Sequence, residues 1–363
     1  MIGSRGIPGQ RGGVERVLEA VCPRLVKAGD EVRVYSASWS EYREPEWQGV
    51  RLLRTASIRH KYFDTLSRSF LATLKEIFNF QKTILHYHAS GSAPLVLLAR
   101  LFGKKVVVTV HGLDWQRRKW NLFGEFFLKF GEWAACRLPH RTIAVSQQLK
   151  RALDERYKGK VIFIPNGAEP RRQRNPEKIK PWGLGDRNYI LFLARLVPEK
   201  RSDVLLDAFL SLPDKNRFKL VIAGPSWHSE EYVQTLKQKA QGHPDVIFTG
   251  EVDEETLEEL YSNCYSYVLP SEVEGMSLSL LDAMAFGACI VASDIAANAD
   301  VVADCGMTFR TGDAADLAGK LDFLIKNPVD AQTYRVKARN RLSDVYNWDK
   351  IALQWQAVYD ELG

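Results

Sequence analysis

Five cysteines in 363 residues, with no Cys-x-x-Cys pair among them, exclude a disulfide scaffold and a zinc framework. Cys22, Cys136, Cys264, Cys289 and Cys305 stand in apolar contexts and read as small buried residues. No apolar run approaches the ~20 residues of a membrane span, and no basic-then-apolar leader opens the chain. No Asp-x-Asp motif stands between predicted strands to hold a metal, and no long repeat or low-complexity tract occurs. The composition, 45% hydrophobic and 26% charged, is that of a soluble globular protein. Together these absences predict a cytoplasmic protein.

The length exceeds one ordinary core and predicts two domains. Charge divides the chain in the same way. Residues 1–168 hold 28 Lys and Arg against 14 Asp and Glu, whereas 169–363 hold 22 against 30. A basic half joined to an acidic half implies different partners. The basic half suits anionic lipid, nucleic acid or a phosphorylated substrate, and charge alone does not choose.

Strands alternate with amphipathic helices along both halves, which predicts doubly wound parallel sheets. A glycine-rich loop, Gly3 to Gly13, precedes a helix from about Val14 to Ala28. Glycines let backbone approach a ligand and the helix start offers N–H donors to a phosphate, although a tight βα turn needs no ligand. Only Met1-Ile2 precede Gly3, where a first strand of about five residues is expected. Either the natural start lies upstream or the sheet is compromised there. A buried strand over Thr83–His88 carries His86 and His88, and the β-branched run Lys104–Val110 ends at His111-Gly112. A histidine at the carboxyl end of a parallel strand lies where open α/β sheets bind ligands.

Trp115 to Arg141 mixes Trp120, Phe123, Phe126, Phe127, Phe130 and Trp133 with Arg117, Arg118, Lys119 and Lys129. Such a segment suits a membrane interface or a lipid-linked acceptor, and equally a core helix with a charged rim. Ala168–Asp186, rich in Arg, Pro and Lys, reads as a linker. Beyond it a strand ending at Ala194 is followed by Arg195 and Lys200, a fork and a point charge suited to phosphate oxygens.

The stretch Ser271–Gly287, SEVEGMSLSLLDAMAFG, is the centre of the second half. Glu274 and Asp282 flank a helix start, Gly275-Met276-Ser277-Leu278, whose N–H groups and dipole suit a phosphate. If the intervening chain is mostly helical, the two acids stand on the order of 12 Å apart. That is roughly the distance from the sugar of a nucleotide sugar to its ribose.

This stretch resembles the acid-x7-acid signature of the group-1 (family 4) retaining glycosyltransferases of GT-B fold. The Gly12-Gly13 loop, His111, the turn Ile164-Pro165-Asn166-Gly167 and the Arg195/Lys200 pair extend the resemblance over nearly the whole chain. The N-terminal pieces IGSRGIP and GLDWQRRKW look most like a bacterial subgroup associated with rhamnosyl transfer. The resemblance implies two Rossmann-like domains facing a cleft, at 1–168 and 169–345, with 346–363 as a helix crossing back to the first. It implies transfer of a sugar, with retention, from a nucleotide diphosphate sugar to an acceptor hydroxyl in surface polysaccharide or glycolipid assembly.

Donor contacts would come from Gly12, Gly13, Arg195, Lys200, Glu274, Gly275, Met276, Ser277, Leu278 and Asp282. His111, Glu274, Arg195 and Lys200 would be catalytic, with Arg195 and Lys200 on the diphosphate, Glu274 and His111 on the sugar and Asp282 on ribose. No metal or other cofactor is expected. Partners would be a sugar or lipid-linked acceptor and the inner membrane face, not nucleic acid. The family has Glu where this chain has Asp282. Two rivals therefore stand: an inactive GT-B partner in a synthase complex, and a nucleotide-sugar epimerase or phosphorylase.

Overall fold

The computed structural model describes residues 1–9, 12–58, 64–79, 81–113, 115, 122–185, 187–213, 218–226 and 229–363. Gln10, Arg11, Trp120, Asp186 and the cations Arg117, Arg118 and Lys119 lie outside the described residues. The chain forms two units, Met1–Gly167 with Trp348–Gly363, and Ala168–Asn347.

In the first unit α1 (Gly13–Lys27) precedes β1 (Arg33–Ala37), β2 (Glu46–Trp47) and β3 (Val50–Thr55). Then come α2 (Asp64–Ile77), β4 (Ile84–His88), α3 (Val96–Leu101), β5 (Lys105–Val110), α4 (Leu122–Arg137), β6 (Arg141–Ala144), α5 (Gln147–Tyr157) and β7 (Val161–Phe163). β4-β5-β6-β7 form one parallel sheet, and β1-β3-β2 a second in which β1 and β3 are parallel. The valines of β5 are buried on both faces, which is why that run shows no alternation.

Where the first strand is expected there is only an isolated parallel bridge between Ile2 and Tyr87. The Ile2 N–H donates to the His86 carbonyl at 2.8 Å, and the Ile2 carbonyl accepts from the His88 N–H at 2.9 Å. On its other side the Met1 carbonyl accepts from the Tyr35 N–H at 3.0 Å. Met1-Ile2 thus lie between β1 and β4 and join the two sheets. Gly3 follows at φ +110°, so close to β4 that an added Cβ would stand 2.4 Å from the His88 carbonyl oxygen. Glycine is required there on both counts. Helix α13 (Trp348–Asp360) packs on α1, burying Trp348, Ile351, Trp355 and Val358 in the first unit's core. Arg24 pairs with Asp349 and Arg141 with Glu361 at its ends.

In the second unit strands and helices alternate through β8 (Tyr189–Leu193), α6 (Ser202–Leu210), β9 (Lys219–Ala223), α7 (Glu230–Lys239) and β10 (Val246–Gly250). They continue through α8 (Glu254–Asn263), β11 (Ser266–Leu269), α9 (Leu278–Ala285), β12 (Cys289–Ser293), α10 (Ala296–Val302), β13 (Met307–Phe309), α11 (Ala314–Lys326) and α12 (Pro328–Val345). All six strands are parallel, in the order β10-β9-β8-β11-β12-β13. The chain leaves β8 toward one edge and later returns to the other side of β8. The seam between β8 and β11 is therefore the switch point of the sheet, where such folds open a crevice at the strands' carboxyl ends.

The segment read as a linker is instead fastened to α8. The N–H groups of Glu177, Lys178 and Ile179 all donate to one oxygen of buried Glu259, at 2.9, 2.7 and 3.2 Å. Arg174 binds Glu258 at 2.6 Å. The segment's backbone N–H groups and Arg174 satisfy buried carboxylates, which composition alone does not reveal. All five cysteines are free and buried. Among the described residues no helix is long and apolar enough to cross a membrane.

Candidate active site

The two loops that leave the β8/β11 seam meet. After β8 the chain passes Arg195 and enters a single 3₁₀ turn, Pro198–Lys200. Gly224 lets that loop pass, because an added Cβ there would stand 2.0 Å from the Ala194 carbonyl oxygen. The loop after β11 is tied to it by the Glu272 N–H donating to the Glu199 carbonyl at 3.0 Å. This contact brings the Lys200 ammonium onto the Glu274 carboxylate, two side chains only 13% and 10% exposed. Arg201 then reaches both Glu272 and Asp203, the latter at 3.1 Å. Arg195 lies exposed at the mouth of the same loop.

Asp282 is half-buried in the middle of α9. The separation of about 12 Å between Glu274 and Asp282 assumed a mostly helical path. Helix begins only at Leu278, so Gly275, Met276 and Ser277 are non-helical and the axial-rise estimate does not apply. Ser277 is the N-cap, yet its side chain makes no capping bond. It contacts Ser279 at 3.0 Å, and Ser279 in turn accepts from the buried Tyr267 hydroxyl at 2.8 Å. The Ser277 side chain therefore leaves the first-turn N–H groups of α9 uncapped at the end where the helix dipole is positive. Burial, and next to it the Glu274 and Asp282 carboxylates, push the Tyr267 phenol well above its ordinary value. Tyr267 stays a neutral donor beneath both acids.

The predicted residues of the first unit form a different group. Gly12 caps α1 and Gly13 begins it. An added Cβ on Gly12 would stand 1.9 Å from the Glu15 carboxylate, which also accepts the Arg5 N–H at 2.7 Å. Glycine is thus explained by packing, and an anion already faces this helix start. His111, just past β5, contacts His88 at the end of β4, Nε2 to Nδ1, at 3.1 Å.

Sequence reading picked out neither Arg201 nor the Tyr267–Ser279 pair, and it saw in His88 only a strand histidine. The alternation of β4 carried a signal for His88, since residues 86 and 88 share a face with the strand's ligand end. Among the described residues no group of three His, Cys, Asp or Glu side chains could hold a metal ion. The aromatic segment is part core and part surface. Buried Glu132 of α4 accepts from Trp115 at 2.8 Å, Arg156 at 2.9 Å and Tyr157 at 2.9 Å, while Phe126, Phe130 and Trp133 are exposed.

Solved structures share this architecture end to end. Sucrose-phosphate synthase from Thermosynechococcus elongatus superposes with a TM-score of 0.84 at 23% identity, over 97% of this chain and 94% of that one. Anabaena HepE in complex with UDP and glucose gives 0.79 at 15%, over 98% of both. The fold is GT-B. In sequence, residues 174–343 match the model for glycosyl transferases group 1, and residues 11–172 that for glycosyltransferase family 4. O-antigen chain mannosyltransferase C of Escherichia coli is 24% identical over 98% of this chain and 96% of its own length. An uncharacterized glycosyltransferase of Methanocaldococcus jannaschii is 25% identical over 93% and 92%. The chain belongs to the group-1 glycosyltransferases.

Proposed function

We propose that the protein transfers a hexose, with retention, from a nucleotide diphosphate sugar to an acceptor hydroxyl in surface polysaccharide or glycolipid assembly. The observation that carries this reading is the joining of Lys200 and Glu274 across the β8/β11 switch point. Arg195 and Lys200 stabilise the diphosphate as it leaves, an electrostatic role that needs no added cation. The start of α9, from Gly275 to Leu278, adds backbone donors. Glu274 holds sugar hydroxyls, His111 lies on the sugar side and Asp282 takes the ribose. Retention follows from the family resemblance, with the acceptor attacking the face the diphosphate leaves. The mannosyltransferase relative favours a mannosyl donor and a polysaccharide acceptor. The exposed aromatics of α4, beside Lys129, favour peripheral contact with an anionic membrane.

Calorimetry with GDP and UDP, and release of free nucleotide diphosphate from GDP-mannose, UDP-glucose and dTDP-rhamnose, test the assignment. Asp282→Ala should weaken nucleotide binding by about 1.5–3 kcal/mol, the worth of a hydrogen bond to a charged group, and Asp282→Glu should retain it. Arg195→Ala should lower turnover at least ~10-fold, about 1.4 kcal/mol of barrier. Equal nucleotide affinity in wild type and Asp282→Ala would remove Asp282 from the site. Failure of wild type to release diphosphate from any donor would favour the inactive-partner reading.

A further inference from the structure

The first unit buries a row of imidazoles that the proposed reaction leaves unexplained. His86 and His88 of β4 are 1% and 0% exposed, with ring centroids 4.5 Å apart. Trp355 of α13 stacks on His88 at 5.7 Å and 25°, and His111 lies 5.4 Å away at 28°. Burial first, then the charges that the other histidines and the buried Met1 ammonium would carry, holds both β4 histidines well below the ordinary imidazole value. Both are therefore neutral, and each has one N–H and one bare nitrogen.

Their hydrogen bonds are unequal. His86 uses both nitrogens, Nε2 with the Thr109 hydroxyl at 2.7 Å and Nδ1 with the Tyr359 hydroxyl at 2.6 Å. His88 uses Nδ1 on His111 Nε2, and its own Nε2 is buried with no hydrogen-bond partner among the described residues. Two assignments are open. In one, His111 donates from Nε2 and His88 accepts at Nδ1, which strands a buried N–H at His88 Nε2. In the other, His88 donates from Nδ1 and only a bare nitrogen lone pair is left unmatched. Orphaned buried N–H groups are rarer and costlier than under-used acceptors. The second assignment therefore wins, and it leaves His111 Nε2 as an acceptor.

We infer that His88 is a positioning residue that holds neutral His111 in its Nδ1–H tautomer, so that Nδ1 carries the proton this histidine can offer to a sugar oxygen. The importance for turnover rests on the proposed role of His111, whereas the tautomer itself does not. The packing explains why a mobile ring cannot do this. The His88 N–H is held by the Ile2 carbonyl, Gly3 presses on the His88 carbonyl, and Trp355 fixes the plane of its ring.

The test uses the full chain with ¹⁵N-labelled histidine. Two-bond ¹H–¹⁵N correlations, assigned with His111→Gln, report which nitrogen of each ring is protonated. In wild type His111 should be protonated at Nδ1 and bare at Nε2, and a protonated Nε2 overturns the inference. His88→Asn keeps an N–H donor near the place of Nδ1 and should keep the His111 tautomer and most activity. His88→Phe keeps a ring without a donor. Its His111 should take up the Nε2–H form, with kcat for diphosphate release from GDP-mannose falling roughly tenfold and KM little changed. An unchanged tautomer in folded His88→Phe also overturns the inference. A switched tautomer with wild-type turnover would uphold the His88–His111 coupling and refute the sugar-side role of His111.

Discussion

Removing one member of the Lys200–Glu274 pair should cost more stability than removing both. Only about a tenth of each side chain meets solvent. A pair of this kind is worth ~4 kcal/mol at an effective dielectric near 20, and breaking a buried pair leaves an uncompensated charge that costs ~3–5 kcal/mol. The residual exposure places Lys200→Met and Glu274→Gln near the lower end, about 3 kcal/mol each. The double variant buries neither charge and should unfold within about 1 kcal/mol of wild type, so the coupling in a double-mutant cycle is several kcal/mol. At roughly 2–4 °C per kcal/mol for a unit of this size, each single variant should lower the second unit's melting temperature by ~6–12 °C. Differential scanning calorimetry on the four proteins reads this directly. Single variants that melt within about 1 °C of wild type would refute the buried-pair reasoning. Turnover provides an independent arm, because all three variants should lose it even where the double variant regains stability.

Two further outcomes follow from local geometry. Asp253 caps α8, and the Thr256 N–H, followed by Lys178, holds its carboxyl at about 2. A depressed folded-state value contributes stability above the ordinary aspartate range and loses it as pH falls toward 2. The stability gap between wild type and Asp253→Ala should therefore be full above about pH 5 and shrink below pH 4, as urea midpoints at stepped pH would show; a gap independent of pH removes the cap's charge from the account. For the exposed aromatics of α4, co-sedimentation with vesicles should rise with anionic lipid content and fall with salt. Binding indifferent to both leaves the helix as a core element with an apolar outer rim.

Much of this molecule is legible in residue order because its signals are local. The continuous β-branched run of β5, the glycines at turns and the strand–helix alternation each depend on neighbours within a few residues. They give two doubly wound units, and they put His111, Arg195 and the Glu274 loop at strand ends. The cap of α5 is equally local, Ser146 accepting the Leu149 N–H at 3.2 Å. What sequence order leaves open is which loops meet. Lys200 and Glu274 are separated by 73 intervening residues, and only the pairing of β8 with β11 sets them on one another.

The same reason hid His88. Its partner His111 comes from the next strand, its stacking ring from a helix at the far end of the chain, and its backbone is aligned by Met1-Ile2. Glu15 shows the reverse. A glycine-rich loop before a helix reads as an anion site, but the loop's own fold brings Arg5 and Gly12 onto a carboxylate already at that helix start. Sequence by itself determined which chemistry each strand end carries. The tertiary structure decided which carboxylate meets which cation, because buried charges and polar atoms find partners through sheet order rather than along the chain.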